Sequence, residues 1–181
     1  MMVSYFAGGL ALVALVIAVL LYNGLVQSRL RVREGWSAID VQLQRRAALI
    51  PNLVEAVRGY AEYERGTLTR VVEARGALTA ASGPGEAARA DAALTGALRT
   101  FFAVAEAYPD LKATERFAQL QHDLADTENK IAFARNYYNG AVEAYNTRAQ
   151  TIPGVVIARL TGFTPAEFFS AEDGARQVVS V

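Results

Sequence analysis

The first 28 residues contain no Asp, Glu, Lys, Arg or His, and this uncharged run is the strongest constraint on the fold. Residues 3–25 are almost entirely Ala, Leu, Val, Ile and Gly. A helix of about 20 apolar residues spans the roughly 30 Å hydrocarbon layer of a bilayer. Tyr5 and Tyr22 stand near the two ends of the run, where aromatic rings favour the membrane–water interface. The run therefore predicts a transmembrane anchor.

The flanks of this run distinguish an uncleaved anchor from a signal peptide. A signal peptide has a basic region before its apolar core and a small-residue cleavage site after it. No Lys or Arg precedes the run, and residues 27–30, Gln-Ser-Arg-Leu, contain no convincing cleavage site. Arg29, Arg31 and Arg33 follow the run directly. The positive-inside rule then places the N-terminus outside and the C-terminal domain in the cytoplasm.

Beyond the apolar run, apolar residues recur with a helical period and not with a strand period. One stripe at three- and four-residue steps runs through residues 32–50 and continues through residues 53–78. The Ser-Gly-Pro-Gly sequence at 82–85 predicts a loop, and a third helix is expected over residues 86–107. The fourth helix, over residues 111–151, is the longest and would extend about 60 Å.

The fourth predicted helix carries a strict seven-residue repeat of large residues, together with a companion series of mostly small ones. This spacing predicts knobs-into-holes packing with a left-handed twist. The repeat consists of Phe117, Leu124, Ile131, Tyr138, Tyr145 and Ile152, and the companion series of Ala113, Leu120, Thr127, Ala134 and Ala141.

These patterns predict an all-α fold, with an N-terminal transmembrane helix followed by an antiparallel four-helix bundle with coiled-coil-like packing. The expected parts are a transmembrane anchor at residues 1–28, a cytoplasmic helical bundle at 29–152 and an irregular C-terminal tail at 153–181. Proline and glycine interrupt the tail, but it also contains apolar residues such as Phe168 and Phe169. It could dock either on the end of the bundle or on the membrane surface.

Pro51 is the ambiguous joint of the bundle. Proline is costly inside a helix, by about 3 kcal/mol, but it is well tolerated at the first position of a new helix. The preceding residues, Ala-Ala-Leu-Ile at 47–50, are helical and apolar in character. The proline therefore marks either a tight break between two antiparallel helices or a kink in one rod. We favour the break, because four helices of a compact bundle fit the observed segment lengths better than a single rod of more than about 50 residues.

The residue types needed for catalysis or metal binding are scarce. The chain has no Cys, and His122 is its one histidine, outside the Glu-x-x-His pairs of metal-binding bundles. No nucleophile elbow, phosphate-binding loop or dinucleotide fingerprint occurs. Lys+Arg equals Asp+Glu at 18 each, so no net charge attracts nucleic acid. We therefore predict a protein that is not an enzyme, with no cofactor, metal, nucleic-acid partner or small-molecule substrate.

Several polar and charged residues are candidates for a partner-binding surface. Those near Pro51 form either a solvated helix face with weak ion pairs or a patch that binds a partner. Tyr138 and Tyr145 lie in the seven-residue repeat and each precedes an Asn, which indicates control of helix register or a polar interface for self-association. If the role is register control, Leu in place of Asn139 and Asn146 should raise thermal stability and loosen topology or assembly. The candidate partner-binding residues are Trp36, Asp40, Arg45, Arg46, Pro51, Asn52, Asn136 and Asn139.

Motifs spread over nearly the whole chain resemble those of the LemA family. The matching pieces are Tyr22-Asn23-Gly24-Leu25-Val26, Trp36-Ser37-Ala38-Ile39-Asp40-Val41-Gln42-Leu43, Arg45-Arg46, Leu49-Ile50-Pro51-Asn52-Leu53-Val54-Glu55, Gly59-Tyr60-Ala61, Ala74-Arg75, Ala134-Arg135-Asn136-Tyr137-Tyr138-Asn139, Tyr145-Asn146 and Phe168-Phe169. The resemblance implies one N-terminal transmembrane helix and a cytoplasmic four-helix bundle, with no established catalytic residues. Residues 75–92, rich in Ala and Gly, resemble the family least.

The resemblance also implies a function. We expect a non-enzymatic, single-pass protein of the bacterial inner membrane, whose bundle serves membrane organisation or stress response. Its expected partners are membrane lipid and either a second copy, giving a homo-oligomer, or another membrane protein. The alternative is an adaptor for a zinc membrane protease of the HtpX type, because some LemA-like proteins occur beside such a protease. Its docking element would be residues 178–181 or Phe168-Phe169.

Overall fold

A computed structural model, which describes residues 2–60 and 65–170, shows an all-α protein. No strand occurs within these two ranges, and the predicted fold class is confirmed. The helices are α1 (Met2–Ala56), α2 (Arg65–Ala80), α3 (Pro84–Ala105), α4 (Pro109–Lys112), α5 (Glu115–Gln150) and α6 (Gly154–Thr161), with a 3₁₀ turn at Arg58–Tyr60. Residues 178–181, one of the two expected docking elements, lie outside the described ranges.

Helix α1 is one continuous rod of 55 residues, about 80 Å long. Its N-terminal part is apolar and exposed, and among the described residues it is the one helix long and apolar enough to cross a membrane. Its C-terminal part buries a stripe that includes Ile39, Leu43, Ile50 and Leu53. The same helix therefore carries the candidate span and one side of the bundle core.

The predicted break at Pro51 is wrong, because this residue lies inside α1. Proline has no N–H, so the carbonyl of Ala47, four residues earlier, loses its normal helical donor. The Arg75 side chain of α2 replaces it, with Nε donating a hydrogen bond to the Ala47 oxygen at 3.0 Å. The proline itself is exposed, so its ring does not disturb the core. The chain leaves the helix only after Ala56.

This replacement predicts a coupling between Pro51 and Arg75. Arg75→Ala should lower the free energy of unfolding by about 1–2 kcal/mol, because a carbonyl loses its donor. Pro51→Ala supplies a backbone N–H to Ala47, so the same Arg75→Ala change should cost clearly less in that background. Urea unfolding followed by helical circular dichroism in mild detergent measures all four variants. Equal costs in both backgrounds would contradict the explanation, and Arg58→Ala, at an exposed arginine, is the control.

The bundle is formed by the C-terminal part of α1 together with α2, α3 and α5. Helices α1 and α5 run antiparallel, since Trp36 contacts Tyr138 while Arg45 contacts Asp126. Helices α2 and α3 form a hairpin that closes the other side. The seven-residue repeat of α5 is buried from Phe117 to Tyr145, as its coiled-coil-like pattern predicts. Buried residues of the hairpin are Val71, Leu78, Ala87, Ala88, Leu94, Leu98, Phe101 and Ala105.

The α2–α3 hairpin is shorter than the α1–α5 pair, and this difference leaves part of one side of the pair uncovered. The loop that joins α2 to α3 lies beside Glu167, which in turn contacts Tyr138. From that level towards the apolar N-terminal run, α1 and α5 continue without the hairpin. Residues 163–169 and helix α6 pack against the uncovered side of the pair. The tail therefore docks on the bundle over the part of its length that the structure describes.

Candidate functional site

The polar residues of the α5 repeat hold the tail as an extended segment, residues 164–169. The side-chain amide of Asn139 donates to the Phe169 carbonyl at 3.2 Å and accepts from the Phe169 N–H at 2.9 Å. Asn146 does the same with Ala166, at 2.9 and 2.8 Å. Each amide thus pairs with both backbone groups of one residue, as a neighbouring β-strand would. We call the four side chains Tyr138, Asn139, Tyr145 and Asn146, with segment 164–169, the C-terminal clasp.

The two tyrosines complete the clasp and explain its spacing. Tyr138 donates its hydroxyl hydrogen bond to the Glu167 carbonyl at 2.6 Å, and Tyr145 donates to the Thr164 carbonyl at 2.7 Å. Seven residues of helix advance about 10.5 Å, which is close to the roughly 10 Å spanned by three extended residues. A Tyr-Asn pair every seven residues on α5 therefore matches backbone groups three residues apart. The Tyr and Asn side chains of the α5 repeat therefore bind the backbone of the tail and do not set the register between helices.

Aromatic packing covers the apolar side of the clasp. Phe169 is buried, and its ring centroid lies 6.4 Å from that of Trp36. The Trp36 ring also lies 6.1 Å from the Tyr138 ring. Trp36, a predicted partner-binding residue, is half-buried between α5 and the tail. Phe168, the other half of the expected docking element, is half-buried as well.

The Glu167 side chain attaches the clasp to the α2–α3 hairpin. Its carboxylate lies against Gly83 and Gly85 at the N-terminus of α3, where the helix dipole favours a negative charge. A Cβ built on Gly85 would lie 2.1 Å from Glu167 Oε1, so any larger residue at position 85 would displace this carboxylate. Neither Gly85 nor Glu167 is recognisable from the sequence, because their contact is made between distant segments.

The tyrosine hydroxyls must stay protonated to donate these bonds. Burial, and next the negative charge of Glu167, raise the pKa of Tyr138 from 10.0 to about 12. Burial also raises the pKa of Tyr145. A group whose pKa is raised on folding contributes stability below its unfolded pKa and loses that contribution as pH rises through the folded value.

Because both tyrosine pKa values are raised on folding, we expect the clasp to be insensitive to pH near neutrality and to weaken between about pH 10 and pH 12. In an ultraviolet titration of tyrosinate, Tyr138→Phe should remove an absorbance step at a pKa of about 12. The matched control is Tyr5→Phe, since the exposed Tyr5 lies far from the clasp, and it should leave that step in place. A Tyr138 step at the usual tyrosine pKa would contradict the buried hydrogen bond.

A second polar feature of the bundle is an ion pair in its core. Arg46 of α1 is 1% exposed, and its Nη1 lies 2.7 Å from Asp91 Oδ1 of α3. Its Nη2 lies 3.5 Å from Glu128 of α5, whose side chain is exposed. Burial raises the pKa of Asp91, and the neighbouring Arg46 charge opposes that rise. Arg46 thus ties three helices together, and among the described residues its Nε has no hydrogen-bond partner.

The structure separates the other residues predicted to bind a partner. Asp40 accepts a hydrogen bond from Gln44 on the same helix, and the exposed Arg45 pairs with Asp126 of α5. Pro51 and Asn52 are exposed at the far end of α1, and Asn136 is exposed on α5. Arg46 is buried in the core, and Pro51 and Asn52 lie about four turns along α1 from Trp36, so the eight residues do not form one continuous surface. Their role in binding stays a prediction.

The structure shows a different exposed surface, which we call the α1–α5 flank and which the sequence patterns do not predict. It lies between the Tyr137–Glu34 contact and the Arg45–Asp126 pair. Within it, Phe133 of α5 is 80% exposed and Val41 of α1 is 56% exposed, and Tyr137 is also exposed. The sequence signal for this surface is that Phe133 and Val41 are apolar although they lie outside the buried stripes of their helices.

Among the described residues, no group of three or more His, Asp or Glu side chains is placed to hold a metal ion. His122 is exposed on α5. The chemistry that the described part of the chain offers therefore consists of backbone capture by the clasp, a buried ion pair and exposed apolar surface.

Comparison with known proteins agrees with the sequence motifs. Residues 35–181 match the model of a family described as the LemA family. The chain is 26% identical to magnetosome protein MamQ of Magnetospirillum gryphiswaldense, covering 88% of this chain and 69% of that protein. It is 27% identical to magnetosome protein MamQ 2 of Paramagnetospirillum magneticum, with the same two coverages. It is 24% identical to protein LemA of Metamycoplasma hominis, covering 83% of this chain and 69% of the relative.

Proposed function

The chain belongs to the LemA family, and on this premise we propose that it is a non-enzymatic, single-pass protein of the bacterial inner membrane. Its bundle associates with itself or with another membrane protein and serves membrane organisation or stress response. The relatives named magnetosome proteins support a role connected with an organelle, which we extend to membrane organisation here. The main observation that supports such an association is the exposed apolar surface of the α1–α5 flank.

The orientation that we propose rests on the charges at the end of the anchor. Arg29, Arg31 and Arg33 are all exposed on α1 just after the apolar run. By the positive-inside rule they keep this end of α1, and with it the bundle, in the cytoplasm. Since α1 has no break at Pro51, it connects the span directly to the bundle core. The bundle is thereby presented at a fixed position beneath the bilayer.

The α1–α5 flank has the features of a binding surface. A phenylalanine that is 80% exposed gains more from burial in a partner than any other side chain on this flank. The contacts Tyr137–Glu34 and Arg45–Asp126 border it with polar groups. An apolar centre inside a polar rim is the usual anatomy of a protein interface. The flank also belongs to the two longest helices, so a partner would contact a rigid surface.

Association through this flank predicts a specific loss of assembly. Phe133→Asp should weaken self-association by about 30-fold or more, which corresponds to about 2 kcal/mol for one aromatic anchor. Native mass spectrometry of the detergent-solubilised full chain measures the stoichiometry over a range of concentrations. Val72→Asp on α2 is the matched control, because Val72 is exposed but lies on the hairpin.

A photo-crosslinking residue at position 133 in intact membranes then distinguishes the two kinds of partner. A crosslinked band of twice the chain mass indicates a second copy, and a different mass indicates another membrane protein. Association through the flank is refuted if the chain remains monomeric at all concentrations and position 133 yields no crosslink.

A second function, an adaptor for a membrane protease of the HtpX type, is favoured by one feature of the clasp. The clasp fixes residues 164–169 on the bundle, so the chain beyond Ser170 starts from a defined point. Phe169 is buried there and is not available for docking unless the clasp opens. Deleting residues 172–181 leaves the clasp residues intact. Loss of protease association with unchanged assembly would support an adaptor that docks through residues 172–181. The adaptor function is refuted if the full chain does not associate with the protease.

A further inference from the structure

The C-terminal end of α5 reaches the level at which α1 enters its apolar run. Arg148 Nη1 donates hydrogen bonds to Ser28 Oγ at 2.8 Å and to the Gly24 carbonyl at 3.3 Å. Leu25 is buried together with Ala149. Because α1 and α5 are antiparallel, the last turn of α5 points along α1 towards the apolar run. The turn at 151–153 is therefore level with the end of the predicted span.

Helix α6 begins at this turn and has two different faces. Its inner face packs on α1 and α5 through Ala158, which is buried with Leu25 and Ala149. The start of α6 lies so close to α5 that a Cβ on Gly154 would be 2.1 Å from the Arg148 carbonyl oxygen. Helix α6 is thus attached firmly to the α1–α5 pair, and its orientation relative to α1 is set.

The outer face is an exposed apolar row. Ile152, Val156 and Leu160 are spaced by four residues, which places Val156 and Leu160 on one side of the helix and Ile152 before its first turn. They are 86%, 54% and 79% exposed, respectively. Ile152 even continues the seven-residue repeat of α5, but here it points out of the protein. Three large aliphatic side chains exposed in a row, beside an apolar helix, form a surface that suits lipid better than water.

The surroundings of α6 are those of a membrane interface. The Phe163 ring, just after α6, lies 5.8 Å from the Tyr22 ring and has the Arg29 guanidinium carbon 5.6 Å from its centroid. Arg29 is exposed, and so is Arg159 in the last turn of α6. Aromatic rings and basic side chains together are typical of the headgroup layer of the cytoplasmic leaflet.

We propose that α6 is an interfacial helix that inserts Ile152, Val156 and Leu160 into the lipid surface beside the point where α1 leaves the membrane. The inference rests on the proposed function in one respect, since it requires α1 to span a bilayer. A helix with one apolar face and flanking basic residues binds in this plane. With α6 in the lipid, the protein has two membrane contacts, and the bundle cannot rotate freely about the α1 axis.

The absence of cysteine allows a direct test in the full-length chain. Single cysteines replace Val156, Leu160, Phe133 or Leu12, all exposed positions, and each carries an environment-sensitive nitrobenzoxadiazole label. The proteins are reconstituted in nanodiscs of phosphatidylcholine and phosphatidylglycerol, with or without a lipid that bears a doxyl quencher near the headgroup. We expect blue-shifted emission and quenching at positions 156 and 160 that are several-fold stronger than at position 133.

The other positions make failure interpretable. The label at position 12 tests whether α1 spans the bilayer, and for this position the doxyl quencher is placed deep in the lipid acyl chain. If position 12 is quenched and position 160 behaves like position 133, the interfacial helix is refuted while the anchor stands. If position 12 is not quenched, the proposed anchoring itself fails. A third outcome is a blue shift at position 160 that is insensitive to the doxyl lipid and disappears when each nanodisc holds one chain. This outcome would mean that a second copy of the protein covers α6, and it also refutes the proposal.

Discussion

Asp91→Ala is expected to lower the free energy of unfolding by about 3–5 kcal/mol, the largest effect of any single substitution considered for this protein. The change leaves the guanidinium of Arg46, which is 1% exposed, without its closest counter-charge. The exposed Glu128 at 3.5 Å offers only weak compensation. An uncompensated charge in a core costs more than the ion pair itself contributes. Chemical unfolding of the full chain in mild detergent, followed by circular dichroism, measures the loss.

Two further variants show whether the loss comes from the unpaired charge. The double substitution Arg46→Met and Asp91→Leu removes both charges at similar volume and should recover most of the stability. Arg45→Ala, at the neighbouring arginine whose pair is exposed, should leave the unfolding free energy almost unchanged. If the double variant is as unstable as Asp91→Ala, the contribution of Asp91 comes from packing and not from charge.

The second large effect is expected when both clasp amides are removed. Asn139→Ala with Asn146→Ala deletes four hydrogen bonds to the backbone of residues 166 and 169. At about 1 kcal/mol for each bond, the free energy of unfolding should fall by about 3–5 kcal/mol. The chain has one tryptophan, and Trp36 packs on Phe169, so its fluorescence should shift to the red as the tail leaves.

A matched control separates the clasp from general effects of asparagine replacement on α5. Asn136→Ala changes an exposed asparagine on the same helix and should alter neither stability nor Trp36 fluorescence. Leucine at positions 139 and 146 should destabilise as alanine does, whereas the register interpretation predicts a gain in thermal stability. A stable Leu variant with unchanged fluorescence would therefore disprove the clasp.

The helical skeleton follows from local patterns in the sequence. The apolar run predicts the exposed first part of α1, and the seven-residue repeat predicts the buried seam of α5 from Phe117 to Tyr145. The stripe of α3, from Leu94 to Phe101, is also buried as its spacing indicates. Such patterns are reliable because the burial of one helix face depends on residues three, four and seven apart in the same segment.

The two main corrections concern contacts between distant segments. Pro51 is tolerated inside α1 because Arg75, 24 positions later in the chain, supplies a donor to Ala47. The Tyr-Asn pairs of α5 bind backbone groups of the tail, 19 to 30 residues away. No local periodicity contains this information, since backbone groups are identical at every position. The candidate site was therefore only partly predictable.

The sequence by itself determined the all-α class, the apolar first helix, the long seam of α5 and the family, because each depends on residue types at short, regular spacing. The tertiary structure alone decided that α1 is one unbroken rod, that Arg46 is a core residue and that the tail is held along α5. It also decided that Ile152, although in phase with the buried repeat, faces outwards. The physical reason is that these outcomes depend on which donors, charges and apolar surfaces meet across the bundle, and that is set only when the helices pack.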